Sequence, residues 1–195
     1  MSFTGMEWLN PPASTEETPD GLAVVTAGAT DFWRETFYGF IRHSGHVLHQ
    51  PVTGDFSAEV TVAGEYDTLY DQAGLMLIVS ETHWIKCGVE VTDGRAVFST
   101  VVTNGRSDWA VMPLPFAADR LRLRLTRHGD AVRVQVKDPA PVSGSGWIMA
   151  RLAYLPDGPA RVGIMACSPE RAGFRAVFSD YTCGPAIPRA LHEDH

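Results

Sequence analysis

Lysine is nearly absent from this 195-residue chain: Lys86 and Lys137 stand beside fourteen arginines, and the 23 acidic residues leave a net charge of −7. Such a field repels a phosphate backbone, so nucleic acid is excluded as an expected partner. Cysteine is scarce as well. Cys87, Cys167 and Cys183 are odd in number, widely spaced and without any C-x-x-C pair, which fits neither a disulfide framework nor a zinc site and points to reduced thiols in a cytoplasmic protein. No apolar run approaches the roughly 18 residues of a membrane span, and no basic segment followed by an apolar one marks a secretory leader, so no membrane partner is expected. Missing too are the Gly-x-Ser-x-Gly elbow, the phosphate-cradling P-loop and the dinucleotide fingerprint, which removes support for nucleophilic acyl transfer and phosphoryl transfer. No stretch of a dozen residues keeps a 3.6 period. Only Thr15-Glu-Glu-Thr-Pro19 is expected to carry a helical turn.

What is present is strand material. Nineteen Val and fifteen Thr are broken up by eighteen Gly and thirteen Pro, a mixture that favours pleated segments between frequent turns. Apolar residues alternate in Leu121-Arg-Leu-Arg-Leu125 and, across His128-Gly129-Asp130, in Val132-Arg-Val-Gln-Val136. Further strands are expected at Phe56 to Val62, Ala73 to Val79, Trp84 to Val91, Ala96 to Thr103, Arg161 to Cys167 and Phe174 to Tyr181. That count suffices for an all-β sandwich of two antiparallel sheets, a jelly roll with little helix. An apolar fraction of 45% over this length predicts one domain, 1–183, followed by a tail, 184–195. Asp138 to Gly146, with Pro139, Pro141 and Ser143-Gly-Ser-Gly146, reads as an exposed loop.

The hairpin from Trp84 to Thr103 carries the most information. Asp93-Gly94 is a strong two-residue turn signal, and it fixes a register in which paired residue numbers sum to 187. Glu90 then faces Val97, Gly88 faces Ser99, Lys86 faces Val101 and Trp84 faces Thr103. Ile85, Cys87, Val89, Val91, Phe98, Thr100 and Val102 point to the core side. The opposite face gathers an indole, an ammonium, a carboxylate and two hydroxyls around a bare glycine. It is either a solvated sheet surface or a groove for a polar ligand. Trp33, Tyr38, Trp84 and Trp109, in or beside polar patches, favour the groove, because flat rings with polar edges suit stacking on sugars.

Other candidates are weaker. His43-x-x-His46-x-x-His49 sends alternate imidazoles to opposite faces of a strand, so no metal site is expected there; His46, alone or with Asp71, is a candidate acid or base. Glycoside hydrolysis needs two carboxyls flanking the bond, and Glu90 is a lone carboxylate on its strand, with only Asp71 or Asp108 as distant partners. Arg120, Arg122 and Arg124 project from the polar face of their strand. They serve either as solubilising charges or, at Arg122, as a clamp on a carboxylate or hydroxyls.

Several segments together, Thr30-Asp-Phe-Trp-Arg-Glu-Thr-Phe-Tyr-Gly-Phe40, Tyr70-Asp-Gln-Ala-Gly-Leu-Met76, His83-Trp-Ile-Lys-Cys-Gly-Val-Glu90, Ser99-Thr-Val-Val-Thr103, Ser107-Asp-Trp109 and Cys167-Ser-Pro-Glu-Arg-Ala-Gly-Phe174, resemble the regulation-of-enolase protein 1 family. The resemblance runs from about Met6 to about Tyr181. It implies the concanavalin A-like lectin/glucanase sandwich, with a concave face where such relatives hold carbohydrate, but without the paired-acid strand of the glucanases. Calcium-binding relatives use carboxylate-rich loops, and no dense Asp/Asn cluster occurs here, so neither a metal nor a cofactor is expected. The reading that follows is a polar, sugar-like small molecule held by stacking on Trp33, Tyr38, Trp84 and Trp109 and by hydrogen bonds to Gln72, Lys86, Glu90, Ser99, Thr103 and Arg122. One alternative is an enzyme using Glu90 or His46 as base and Lys86 as electrophilic stabiliser. Another is a regulatory protein with a protein partner, which calls for a flat exposed apolar patch.

Overall fold

Because apolar side chains recur at every second residue, the strands must bury one face each, and two sheets laid together satisfy all of them. The computed structural model describes residues 3–191. Along the chain run β1 (Glu7–Leu9), β2 (Ser14–Thr18), β3 (Gly21–Val25), β4 (Phe32–Arg34), β5 (Ile41–His43), β6 (His46–Val52), β7 (Phe56–Gly64) and β8 (Gln72–Ser80). Then follow β9 (His83–Thr92), β10 (Arg95–Asn104), β11 (Arg106–Met112), β12 (Arg120–His128), β13 (Ala131–Lys137), β14 (Trp147–Tyr154), β15 (Ala160–Cys167) and β16 (Arg175–Pro185). The first sheet has the order β1-β6-β15-β8-β9-β10-β11 and the second β14-β13-β12-β7-β16-β3-β2, with β4 and β5 forming a separate two-stranded ribbon. Every strand pair is antiparallel. The two-sheet sandwich and the low helix content are thus as expected.

The main core lies between the sheets. Leu75, Leu77, Ile85, Cys87, Val89 and Phe98 of the first sheet meet Val60, Val62, Leu121, Leu123, Val134 and Phe178 of the second, all essentially excluded from water. The β9–β10 register is the expected one, pairing Glu90 with Val97, Gly88 with Ser99, Lys86 with Val101 and Trp84 with Thr103. Its cause is visible at the turn: Asp93 and Gly94 both hold positive φ, 51° and 72°, the conformation whose twist matches a tight hairpin.

A second, smaller core was not expected. The β4–β5 ribbon folds over the outer face of the first sheet and buries Phe32, Trp33, Val47, Met76, Ile78, Trp84, Val101, Met165 and Cys167. Asn10 Nδ2 clips the ribbon by donating to the carbonyls of His43 and Gly45, 2.9 Å each, and Arg34 N–H donates to Ser107 Oγ at 2.9 Å.

Three further expectations need correction. Thr15 to Thr18 lies in edge strand β2, not a helical turn, because β3 offers an unpaired ladder to the whole segment. The last strand, expected over Phe174 to Tyr181, runs on as β16 to Pro185, and Ile187 N–H just beyond it donates to Ser57 Oγ at 3.0 Å. The short strands β1 to β5, together with β6, β11 and β14, were not anticipated.

Candidate functional site

The row structure of the first sheet sets the site. On its outer face Gln72 of β8 lies beside Glu90 of β9, and Lys86 is flanked by Met76, Val101 and, one strand further, Trp109 of β11. Between the Lys86 and Glu90 rows sits the Gly74–Gly88 pair. A Cβ on Gly88 would lie 2.1 Å from the Ala73 carbonyl oxygen, and one on Gly74 2.0 Å from that of Cys87. Only glycine permits this approach, and it leaves a notch between the two charged side chains. The ribbon supplies the opposite wall. Asp31 precedes β4, Trp33 lies on it, and Tyr38 sits at a tip where Glu35, Phe37 and Gly39 all have positive φ.

These elements enclose a cavity of about 130 Å³ lined by Asp31, Trp33, Tyr38, Gln72, Lys86, Glu90 and Trp109 together with Phe40, Arg42, Tyr70, Val101, Pro169 and Glu170. That is smaller than the roughly 300–1,000 Å³ of drug-sized sites, so it suits one small molecule or one ring of a larger one. Lys86 Nζ donates to Asp31 Oδ1 at 2.8 Å, and that carboxylate oxygen also accepts the Phe32 N–H at 2.8 Å. Trp109 Nε1–H is shared between Glu90 Oε2 at 3.1 Å and Ser99 Oγ at 3.0 Å. Aromatic edges complete the rim: Trp33 and Tyr38 meet at 5.8 Å, Tyr38 stacks on Phe40 at 5.2 Å, and the Tyr38 and Tyr70 hydroxyls are 3.1 Å apart.

Electrostatics follow from burial. Removal from water pushes the Glu90 carboxyl above its ordinary range, opposed by the Lys86 charge and by hydrogen bonds from Ser99 and Trp109. Burial alone would lower Lys86, but the Asp31 and Glu90 carboxylates oppose it and the net direction is upward. One of the three ammonium donors is taken by Asp31, and Lys86 lines both the cavity and the notch. Tyr70 is pushed up to about 12, first by its bond to Tyr38 and then by burial.

Of the residues chosen from sequence, Trp33, Tyr38, Gln72, Lys86, Glu90 and Trp109 converge on the cavity, and Ser99 lines the notch beneath it. Four do not. Trp84 is fully buried under the Phe32 ring, 5.9 Å away, and stacks on no ligand. Thr103 is fully buried too, its hydroxyl 2.8 Å from that of Ser107. Arg122 lies on the other sheet, where its Nη2 donates to Glu59 Oε2 at 2.7 Å. His46 has both ring nitrogens engaged: Nε2 accepts the Ala27 N–H at 3.1 Å, which leaves Nδ1 to donate to the Asn10 carbonyl at 2.7 Å. It is a structural histidine, and burial lowers its pKa. The distant carboxylates are spoken for, Asp71 by Arg171 and Ser168 and Asp108 by Arg151. Sequence reasoning missed Asp31. The signal was a lone lysine in mid-strand on a face that the ribbon covers, a charge that burial obliges to find a carboxylate.

Comparison with known proteins agrees with this fold. Residues 8–186 match a family described as protein of unknown function (DUF1349). The chain is 41% identical over 187 residues to Regulation of enolase protein 1 of Saccharomyces cerevisiae, covering 95% of this chain and 92% of that one. A crystal structure of a functionally unknown protein from Saccharomyces cerevisiae superposes with a TM-score of 0.89 at 39% identity, over 96% of this chain and all of that one. The GH43 protein BlXynB of Bacillus licheniformis, as a mutant, gives 0.67 at 17% identity over 94% of this chain and 38% of its own. The carbohydrate binding module CBM66 of Bacillus subtilis gives 0.56 at 13%, over 92% and 97%.

Proposed function

The chain belongs to the family described as protein of unknown function (DUF1349), and we propose that it is a cytoplasmic module that binds a polar small molecule of sugar type in the cavity between the first sheet and the ribbon. One observation carries this reading. A buried ammonium with donors to spare, Lys86, and a buried carboxylate, Glu90, sit four residues apart on one strand across a glycine notch, beneath the Trp33 and Trp109 rings. Hydroxyls both donate and accept, so a polyhydroxylated ligand offers a partner to each of the two, while an apolar ligand satisfies neither. The aromatic walls suit the C–H faces of a sugar ring. The likeness to a carbohydrate binding module supports the reading at the level of fold, and the yeast relative's name is compatible with a regulatory role in sugar metabolism.

An enzymatic reading has one observation in its favour: Glu90 is a carboxyl on the cavity wall whose pKa burial raises above its ordinary value. A protein-binding reading has Phe37 and Ile41, 92% and 54% exposed on the ribbon.

The test is a thermal-shift screen against neutral mono- and oligosaccharides, repeated with Lys86→Met and Glu90→Gln. A ligand at about 100 times its Kd raises stability by about 2.7 kcal/mol. A shift present in the wild type and lost in both variants supports the cavity. No shift across the panel rejects it, and a hit is then assayed for turnover.

A further inference from the structure

The outer face of the second sheet carries the opposite electrostatic character, although the chain as a whole is acidic. β12 and β13 present Arg122, Arg124, Arg133 and Lys137, and Glu59 of β7 answers only the first two, with Arg122 Nη2 at 2.7 Å and Arg124 Nε at 2.6 Å. The chain after β16 crosses this face. His128 Nε2 lies 3.0 Å from the Ile187 carbonyl and Arg133 Nη1 donates to that of Ala190. Between this segment and the sheet runs a groove of about 590 Å³ lined by Arg124, Arg133, Gln135, Trp147, Pro188 and Leu191 among others, and no described residue in its lining is acidic.

Two groups in it lack what they need. Arg133 is 8% exposed and, among the described residues, pairs with no carboxylate. Gln135 is 7% exposed, and its Oε1 accepts no hydrogen bond from the described residues. A buried guanidinium asks for an anion, and a buried carbonyl oxygen asks for a donor. Beside them the Arg124 guanidinium carbon lies over the Trp147 ring, 3.8 Å from its centre, with its Nε held by Glu59.

We propose that this groove is a second site, which takes a small hydroxylated oxyanion: the oxyanion rests on Arg133 with Arg124 beside it, and a neighbouring hydroxyl donates to Gln135 Oε1. Sugar acids and sugar phosphates share that chemistry. Because the groove lies on the far side of the sandwich from the ribbon cavity, the proposal stands or falls apart from the sugar-binding reading.

Indole N–H cross-peaks in a nitrogen-15 NMR spectrum separate the two sites, since Trp147 reports the groove and Trp33 and Trp109 report the cavity. D-gluconate, inorganic phosphate and D-glucose are titrated in turn, with sodium chloride as the ionic-strength control. The expected result is a saturable shift of Trp147 with gluconate, phosphate or both, and none with glucose or chloride. Binding should weaken by about tenfold in Arg133→Met, less in Arg133→Lys, and Gln135→Met should weaken it by a smaller factor. Gluconate alone assigns a carboxylate ligand, and phosphate alone a phosphate one. The proposal is overturned if neither anion moves Trp147 saturably, or if Arg133→Met folds, by its circular dichroism, and binds as the wild type does. It is equally overturned if the shift arises only after Glu193→Gln and Asp194→Asn, because the chain's own carboxylates then fill the groove.

Discussion

On β9 the outward side chains Trp84, Lys86 and Glu90 are at most 5% exposed, whereas on β12 the outward Arg120, Arg122 and Arg124 stay exposed or half-buried. Both strands alternate apolar and polar residues, and both turn the apolar set to the same core. The difference lies in what covers the other side. A ribbon with two three-residue strands, β4 and β5, converts one polar face into a second core with a charged cavity at its margin. The other face keeps water and a chain segment for company. Polarity in a strand pattern therefore shows which side is not the main core, and does not show whether that side is wet.

Substitutions at matched positions sharpen the contrast. The largest effect belongs to tryptophan. Trp84→Ala empties a buried site and should cost about 3–5 kcal/mol in urea unfolding, while Trp147→Ala, losing a surface cation–π contact, should cost about 1 kcal/mol. Equal losses would mean that the ribbon is not a true core. Next come the ion pairs. Lys86→Met strands the Asp31 carboxylate in a nearly dry site and should cost about 3 kcal/mol, with part recovered by adding Asp31→Asn, whereas Arg122→Met should cost under about 1 kcal/mol. A double-mutant cycle finding no coupling between Lys86 and Asp31 would contradict the geometry.

Smaller effects come with pH, and their signs differ. Glu90 has a folded-state pKa above its unfolded value of about 4.3, so its contribution is fully present below that value and is lost as pH rises through the folded pKa. The wild type should therefore lose stability relative to Glu90→Gln over that interval; a constant gap would show that the carboxyl is not desolvated. His46 is the reverse case. Burial depresses its pKa, so stability present above the unfolded value of about 6.5 falls as pH drops through it and on to the folded pKa. Protonation also removes the acceptor for Ala27 N–H, and His46→Gln should flatten this limb of a pH titration of the melting temperature.

The two-sheet fold and the β9–β10 register were legible because they rest on local chemistry, alternation and an Asp-Gly turn. The cavity was half legible. Lys86 and Glu90 follow from the register, Gln72 stood in a segment that carried the family resemblance, and Trp109 is brought in by the next strand. Trp84 and Thr103 were misplaced for one reason: their cover comes from a ribbon about forty residues or more away in sequence, built of strands too short to show any period. Arg122 was misplaced because alternation does not say which sheet a strand joins. Asp31 stood in a segment that resembled the family, yet only the fold shows that it answers the lysine.

The cysteines give the molecule a pair of internal clocks. Burial pushes the Cys87 thiol up to about 12 and Cys167 higher still, so at neutral pH each stays protonated and inert to alkylating reagents until its surroundings open. One lies between the sheets and the other under the ribbon. The order in which the two are alkylated during slow unfolding therefore dates the opening of each core separately, without a single label having to be engineered.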